Sequence, residues 1–460
     1  MKQNRIFPAV IALALMSGLM SCNIYKKYEL PEGDTVINDY KKALEAPVDS
    51  TSLPYLGWED IFTDPLLQDL IRLALNNNKD LDNARLNVDI ARAQLKGAKL
   101  SYFPSLAISP NGGTASYGGS HMNWSYTIPA ALNWEIDAFG KILNRKRGAE
   151  AGVQQAEAYK SAVRSQIVCG VASTYYALVL LNQQLELTKN TALIWKDQVE
   201  SMKLMKEAGM VTAAGVAQSE ANYYSILASI PDLEQQIHLT RTTLSLLLNT
   251  YPREWTVTSS LDFNIPKSIV ESIPVSYLAA RPDVAAAERS LATAYYTSNS
   301  ARAAFYPSIN ISVQGGFTNL LGSIITNPGK WFIQLAGQLT APIFSRGQNI
   351  ATLQAAKASQ QIALNNFQYS ILNASAEVTD AMVKYNKNAE KQVQVEKQIE
   401  SLEKSVDFTQ ELLTFNQSTT YLEVLTARSA LLQAQLAGLG CWHARATALI
   451  ELYQAVGGGR

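Results

Sequence analysis

The chain has 460 residues, of which 47% are hydrophobic and 17% charged, with a formal net charge of zero. That length can bury a large core, and the balanced charge shows no bias toward nucleic acid or acidic partners, so no nucleic-acid partner is expected. In chain order, the first predicted element is N-terminal: Lys2 and Arg5 precede an apolar run from Ile6 to Leu19 that ends in Leu19-Met20-Ser21-Cys22. The run is shorter than the ~18 to 20 residues of a spanning helix, and residues 1–21 are read as a secretory signal peptide.

A cysteine directly after a small residue at the end of such a run resembles a bacterial lipobox, in which the signal is removed before the cysteine and the new terminus acquires lipid. Met20 departs from that pattern, where a smaller residue is usual. Lipidation is expected at Cys22, at the head of an N-terminal linker of residues 22–60, with an uncleaved anchor or an ordinary signal peptide as the alternatives. A single acyl chain holds a protein only marginally, so durable attachment to membrane lipid needs several. The two remaining cysteines, Cys169 and Cys441, each sit in a helical pattern and read as small core residues rather than a disulfide framework.

Beyond the linker the chain reads as two copies of one unit, residues 61–260 and 261–456, with a tail of 457–460. Lys79-Asp80-Leu81-Asp82-Asn83-Ala84 leads to Tyr102-Phe103-Pro104-Ser105, as Arg281-Pro282-Asp283 through Ala287 leads to Phe305-Tyr306-Pro307-Ser308. Asp80 and Asp283, Ala84 and Ala287, and Pro104 and Pro307 are each 203 residues apart. Phe139-Gly140 returns near Phe344-Gly347, and Val211-Thr212 returns near Thr419-Thr420. A repeat this large implies pseudo-symmetry, whereas a solenoid repeats every ~20 to 50 residues.

Each copy is predicted to run helix, two strands, then long helices. From Asn123 to Asp137 the apolar residues Trp124, Tyr126, Ile128, Leu132, Trp134 and Ile136 occupy even positions and mostly polar residues the odd ones. Ile309, Ile311, Val313 and Phe317 alternate in the same way, as do Trp331, Ile333, Leu335 and Leu339. Period two means strands with one apolar and one polar face. This pattern fits a sandwich in water or a membrane barrel, and a barrel places aromatics near both rims. Trp124, Tyr126, Trp134, Phe317 and Trp331 sit where such a girdle belongs. Pro129 lies within a strand and removes a ladder donor, so a bulge is expected there.

Between Gly140 and Ala208, and between Gly347 and Phe415, there is no proline and little glycine. Each stretch is long enough for one helix of about 100 Å at ~1.5 Å per residue. Ile167, Val171, Tyr175, Leu178, Leu181, Leu185, Ala192, Trp195, Val199 and Met202 follow three-and-four spacing in the first. In the second, Val378, Met382, Tyr385, Ala389 and Val393 do so, then Ile399, Leu402, Val406 and Leu413. Narrow stripes of this kind fit coiled-coil packing. The uncharged run Ser165 to Leu185 contains enough Gln, Asn, Ser and Thr to favour a buried packing segment over a membrane span. Four strands cannot close a barrel, because even small barrels need about eight. Strands must be shared, and three chains are the smallest assembly whose ~12 strands leave a lumen.

Over nearly the whole chain the sequence resembles the outer-membrane efflux lipoproteins of the TolC superfamily, in its OprM and NodT branch. Gly57-Trp58-Glu59-Asp60-Ile61-Phe62-Thr63-Asp64-Pro65-Leu66-Leu67 resembles the family's entry motif. Ile273 to Asp283, followed by Ala287-Glu288 and Tyr306-Pro307-Ser308-Ile309, resembles its most diagnostic stretch. Pro342-Ile343-Phe344 with Gly347, and the ending Leu452 to Gly459, match as well. The resemblance implies a mainly α protein with a membrane β-barrel: a homotrimer with a shared 12-stranded β-barrel and a long α-helical barrel crossing the periplasm. It also implies an equatorial belt formed by the shorter helices and by the N- and C-terminal segments. The implied partners are a periplasmic adaptor, the membrane fusion protein, and an inner-membrane RND-type pump. The implied role is a passive exit duct for small molecules in the cell outer membrane, with a type I protein-secretion duct as the alternative within the family. A structural coiled-coil or adhesin-like surface protein is the reading outside it.

The resemblance also implies that helix hairpins close the periplasmic end. Their adaptor-contacting tips correspond to Gly209-Met210-Val211-Thr212 and Gln417-Ser418-Thr419-Thr420. The segment Tyr421-Leu422-Glu423-Val424-Leu425-Thr426 resembles the one lining the pore constriction, which makes Tyr421, Leu422, Glu423 and Thr426 the candidate gate. Thr426 stands where an aspartate is usual, so this gate is expected to be less acidic. A ring of three Glu423 carboxylates would favour cations, whereas Glu423 as an ordinary solvated helix residue would do nothing. No enzyme is expected, and neither cofactor nor metal is called for. Only three histidines occur, His121, His238 and His443, without metal-ligand spacing, a phosphate-binding loop or a nucleophile elbow.

Overall fold

The computed structural model describes residues 25–47, 52–115, 123–259, 261, 277–320, 330–415 and 421–459. In order, its elements are α1 Thr35–Glu45, a 3-10 turn Leu53–Tyr55, α2 Trp58–Ile61, α3 Pro65–Asn77, α4 Lys79–Leu100, β1 Ser105–Ile108, β2 Asn111–Ala115 and β3 Asn123–Ile136. Then come α5 Lys141–Glu207, α6 Ala213–Leu247, α7 Tyr277–Ala280, α8 Pro282–Ala303, β4 Ser308–Leu320, β5 Lys330–Thr340, α9 Gln348–Phe415 and α10 Tyr421–Ala455. Cys22 and residues 417–420 lie outside the described residues, as does the side chain of Trp124.

Two compact units interleave along the chain. The first is drawn from within Met1–Glu32, Leu86–Ala158 and Ala285–Tyr369. Its centre is an antiparallel sheet in the order β1, β3, β4, β5, with β2 also paired to β3. Pro104 and Pro307 each stand directly before a strand, where proline disfavours helical geometry in the preceding residue. The expected bulge at Pro129 is absent. Ile108 pairs with Ala130 and Asn111 with Thr127, so the register crosses the proline without an inserted residue. What the missing N–H does is split the partner strand into β1 and β2, with the Ser109 N–H still donating to the Pro129 carbonyl at 3.1 Å. On its other side Pro129 faces Gly316, where a side chain would collide with the Ile128 carbonyl oxygen and lie 2.8 Å from the Pro129 Cα.

The strand-to-helix joint in this unit is built by local hydrogen bonds. Asp137 accepts from the N–H groups of Ile142 and Leu143 at 3.0 and 2.7 Å and so caps α5. Gly140 takes φ +70°, a left-handed conformation that suits glycine, with the Tyr25 ring beside it. The segment after Tyr25 is tied down as well: Arg147 donates to the Tyr25 carbonyl at 3.2 Å, and the Tyr28 N–H to the Tyr296 hydroxyl at 3.1 Å.

The second unit is drawn from Gly33–Arg85, Tyr159–Val284 and Ser370–Arg460. Its core packs Phe62, Leu67 and Ile71 against Val168, Val171, Tyr175 and Leu178 of α5 and Leu449, Leu452 and Tyr453 of α10. One described helix, α5, carries a window apolar enough to cross a membrane by composition, and the uncharged stretch from Ser165 supplies much of this core. Cys169 and Cys441 are free and buried, and burial pushes the Cys169 thiol up to about 12. The entry motif has a mechanical role here. Asp64 caps α3 through the Leu66 N–H at 2.9 Å, and its other oxygen accepts from the Tyr175 hydroxyl at 2.6 Å. Asn78 caps α4 in the same manner, through Asp80 and Leu81.

The stripe on α9 corrects one reading. Covered positions recur at Phe367, Ile371, Ala374, Val378, Ala381, Tyr385, Asn388, Gln392, Val395, Ile399, Leu402 and Val406, an unbroken alternation of four and three. Val393 is exposed and out of phase. The seam passes instead through two amides: Asn388 donates to the Lys384 carbonyl at 2.8 Å, and Gln392 accepts from Arg445 of α10 at 3.0 Å. A sustained seven-residue period is the pattern of coiled-coil packing.

Candidate functional site

Two features stand out, one in each unit. The first is the sheet face. Along register rows, Leu106 lies opposite Leu132, Val313 and Leu335, while Ile128 lies opposite Phe317 and Trp331. These rows form one apolar face, and it is open: Trp331 and Leu335 are each 72% exposed. The opposite face carries Asn133, Ser312, Gln314 and Gln338. Contiguous exposed apolar surface of this kind marks a site that meets another apolar phase. The two outer edges, β1 with β2 and β5, have no strand neighbour among the described residues.

The expected girdle is only partly exposed on this face. Trp134, Phe317 and Trp331 are open, and Trp134 also donates through its indole N–H to the Tyr102 carbonyl at 2.9 Å. Tyr126 departs from the expectation, being 8% exposed. Its register partner is Gly112, which has no side chain to hold the ring off the sheet. Other open aromatics escaped the strand pattern because they precede or follow the strands: Phe103, Phe305 and Tyr306 lie at helix-to-strand joints in the sequence, and Phe344, with Ile343, at the joint from β5 to α9.

The second feature is the pair of helix tips. Gly209 ends α5 at φ +74°, its N–H bonding the Lys206 carbonyl at 3.0 Å while the Met210 N–H bonds that of Met205 at 2.9 Å. This is the paired hydrogen-bond pattern that closes a helix on a left-handed glycine. Thr212 then starts α6, its side chain accepting from the Gly215 N–H at 3.3 Å. Lys203 and Glu220 bridge the two helices at 2.8 Å. An apolar cluster of Trp195, Met202, Val216, Tyr421 and Leu425, with Val211 and Leu413 against it, joins α5, α6, α9 and α10.

Within the candidate gate the residues divide. Leu422, Glu423 and Thr426 are exposed, and the Thr426 hydroxyl donates to the Leu422 carbonyl at 2.8 Å. Tyr421 turns the other way, into the cluster, and is 8% exposed. Arg428, two turns beyond Tyr421, donates to Gln410 of α9 at 2.6 Å. Of the tip residues in the first hairpin, Gly209 and Met210 are exposed and Val211 is half-buried. Among the described residues no group of three or more His, Cys, Asp or Glu side chains is placed to hold a metal ion.

Comparison with known proteins agrees with this architecture. The family profile described as outer membrane efflux protein matches residues 70–250 and 273–458. The probable outer membrane lipoprotein SilC of Salmonella typhimurium is 27% identical over 412 residues, covering 88% of each chain. The outer-membrane channel OprN superposes with a TM-score of 0.84 at 24% identity, covering 95% of this chain and 99% of that one. The open state of the Neisseria gonorrhoeae MtrE outer membrane channel superposes with a TM-score of 0.81 at 26% identity, covering 95% and 97%.

Proposed function

The chain belongs to the outer membrane efflux protein family, and from that membership we infer that it is the outer-membrane channel of a tripartite efflux system, a passive exit duct for small molecules. The observation that carries the reading is the four-track sheet with an exposed apolar face and two edges that have no strand neighbour among the described residues, joined in sequence to helices of 67 and 68 residues. An isolated open edge is an invitation to pair with another chain. Three copies joined edge to edge form a closed barrel of about 12 strands, which leaves a lumen. The internal repeat fits the same design. Elements of the first copy, α4, α5 and α6, have 22, 67 and 35 residues, and α8, α9 and α10 of the second have 22, 68 and 35.

In this reading residues 1–21 are removed, lipid on Cys22 adds an anchor, and the segment from 22 to 60 belongs to the equatorial belt. The repeats 61–260 and 261–456 supply the barrel strands and the helical conduit, and 457–460 is a short tail. Trp134, Phe317 and Trp331 lie at the lipid boundary, with Trp124 beside them in the strand pattern. The tips at 209–212 and 417–420 receive a periplasmic adaptor that couples the duct to an inner-membrane RND-type pump. The structural neighbours OprN and MtrE are outer-membrane channels, and in this reading the duct itself performs no reaction.

Leu422, Glu423 and Thr426 form the constriction, with three symmetry-related copies of each around the axis. Tyr421 acts from behind, as the anchor of that segment in the tip cluster. A closed pore is one of two states, so an adaptor opens it only by binding the open state better. The reading is tested by single-channel recording in planar bilayers. Wild-type protein should open rarely at rest and prefer cations. Leu422→Ala with Glu423→Ser should raise resting conductance and weaken cation preference, because three like charges leave the narrowest ring. Unchanged conductance and selectivity in the double variant would move the constriction elsewhere, and a wild-type protein that never conducts would remove the channel reading itself.

A further inference from the structure

Three of the four described methionines line one cavity at the helix tips, and nothing in the channel reading uses their sulfur. Met202 and Met205 are three residues apart on α5 and share a helix face. Met210 follows the Gly209 turn, and its N–H bond to the Met205 carbonyl at 2.9 Å folds it back onto the end of that helix. The space is about 580 Å³ and open to solvent on the side of Met210 and Leu422, and no charged side chain lines it. Tyr421 forms part of the opposite wall, and its buried hydroxyl has no hydrogen-bond partner among the described residues.

We propose that this cavity is a binding site for a soft monovalent cation, Cu(I) or Ag(I), held by the thioethers of Met202, Met205 and Met210. Thioether sulfur is a soft, uncharged ligand that selects Cu(I)-like ions over Zn²⁺, Mg²⁺ or Ca²⁺. Neutrality is the deciding point. A divalent ion would find no carboxylate or thiolate in this lining to balance its charge, whereas a soft monovalent ion needs less compensation. Thioethers also bind no proton in the ordinary pH range, so the site stays competent where a histidine or cysteine site would lose its ligand to protonation. The alternative is that the methionines serve only as flexible packing. That alternative makes leucine an adequate replacement, since Met-to-Leu exchange conserves volume and usually costs less than ~1.5 kcal/mol.

The site lies beside the proposed gate segment, so its consequence for transport rests on the channel reading, while its existence does not. The test uses full-length protein in detergent, titrated with silver nitrate in chloride-free buffer and then desalted, with εCH₃ resonances of methionine followed by NMR. One silver ion per chain beyond that held by Cys169 and Cys441 is expected, with shifts at Met202, Met205 and Met210 and none at Met382. Met205→Leu with Met210→Leu keeps the buried Met202 and both cysteines. It should lower silver affinity at least about tenfold while leaving circular dichroism unchanged. Equal silver retention by wild type and variant, or shifts confined to other residues, overturns the proposal. The silver titration needs no transport. A protein that conducts but fails it loses this inference alone, and one that passes it without conducting loses the channel reading.

Discussion

Replacing Arg281 by methionine is expected to loosen the second unit by removing a side chain that holds three segments together. The guanidinium is 5% exposed. It donates to the Asp283 carboxylate at 3.0 and 2.6 Å, to Glu377 of α9 at 2.6 Å and to the Ala455 carbonyl at the end of α10 at 2.6 Å. Breaking a fully buried ion pair costs ~3 to 5 kcal/mol, and one hydrogen bond to a charged group is worth ~1.5 to 3 kcal/mol. Here the carboxylates of Asp283 and Glu377 are 47% and 46% exposed, so water can take over much of their solvation once the arginine is gone. The buried cation side of the pair disappears with the substitution, and only the Ala455 carbonyl is stranded. A loss of about 2 to 4 kcal/mol follows. Urea unfolding of the detergent-solubilised protein, followed by the helical circular dichroism signal, should show a lower midpoint with little change in slope. Arg281→Lys keeps the charge but loses the planar fork and should recover less than half of the deficit. A methionine variant that unfolds at the wild-type midpoint would refute the tie.

Two further outcomes separate neighbouring alternatives. Gly316→Val drives a side chain into the Pro129 strand and should cost about 1 to 3 kcal/mol, seen as a lower midpoint for loss of the β signal; Gly315→Ala meets nothing nearer than the Phe332 carbonyl oxygen at 3.4 Å and should be close to neutral. Equal behaviour of the two would remove the close approach at Gly316 as its cause. Mass spectrometry of the mature N-terminal peptide should show acylated Cys22 and loss of residues 1–21, and an unmodified Cys22 or a different mature terminus would contradict the lipid anchor.

Much of the architecture was legible because its signals are long and local. Uninterrupted helices from Lys141 and from Gln348 follow from missing prolines, and strands β3, β4 and β5 from strict alternation. Pairwise context was harder to see. Asn388 and Gln392 continue the α9 seam although they are polar, since Gln392 is satisfied by Arg445 of a different helix, and apolar residues alone pointed to Val393. Pro129 disrupts its ladder without a bulge because the partner strand breaks instead, which depends on Ser109 and Pro110 across from it. Tyr421 reads as a pore residue from its neighbours, yet it packs with Trp195 and Met202, some 200 residues away in the chain. The methionine cavity was illegible for the same reason, since its walls come from both hairpins.

The central claim is that one chain supplies a third of a closed barrel. Native mass spectrometry of the purified protein in detergent tests it most directly, with circular dichroism recorded on the same preparation. Three chains per particle with intact strand content is the expected result. A stable monomer with its full strand content would contradict the shared barrel, because β5 and the β1–β2 edge would then persist in detergent without the neighbours the account requires.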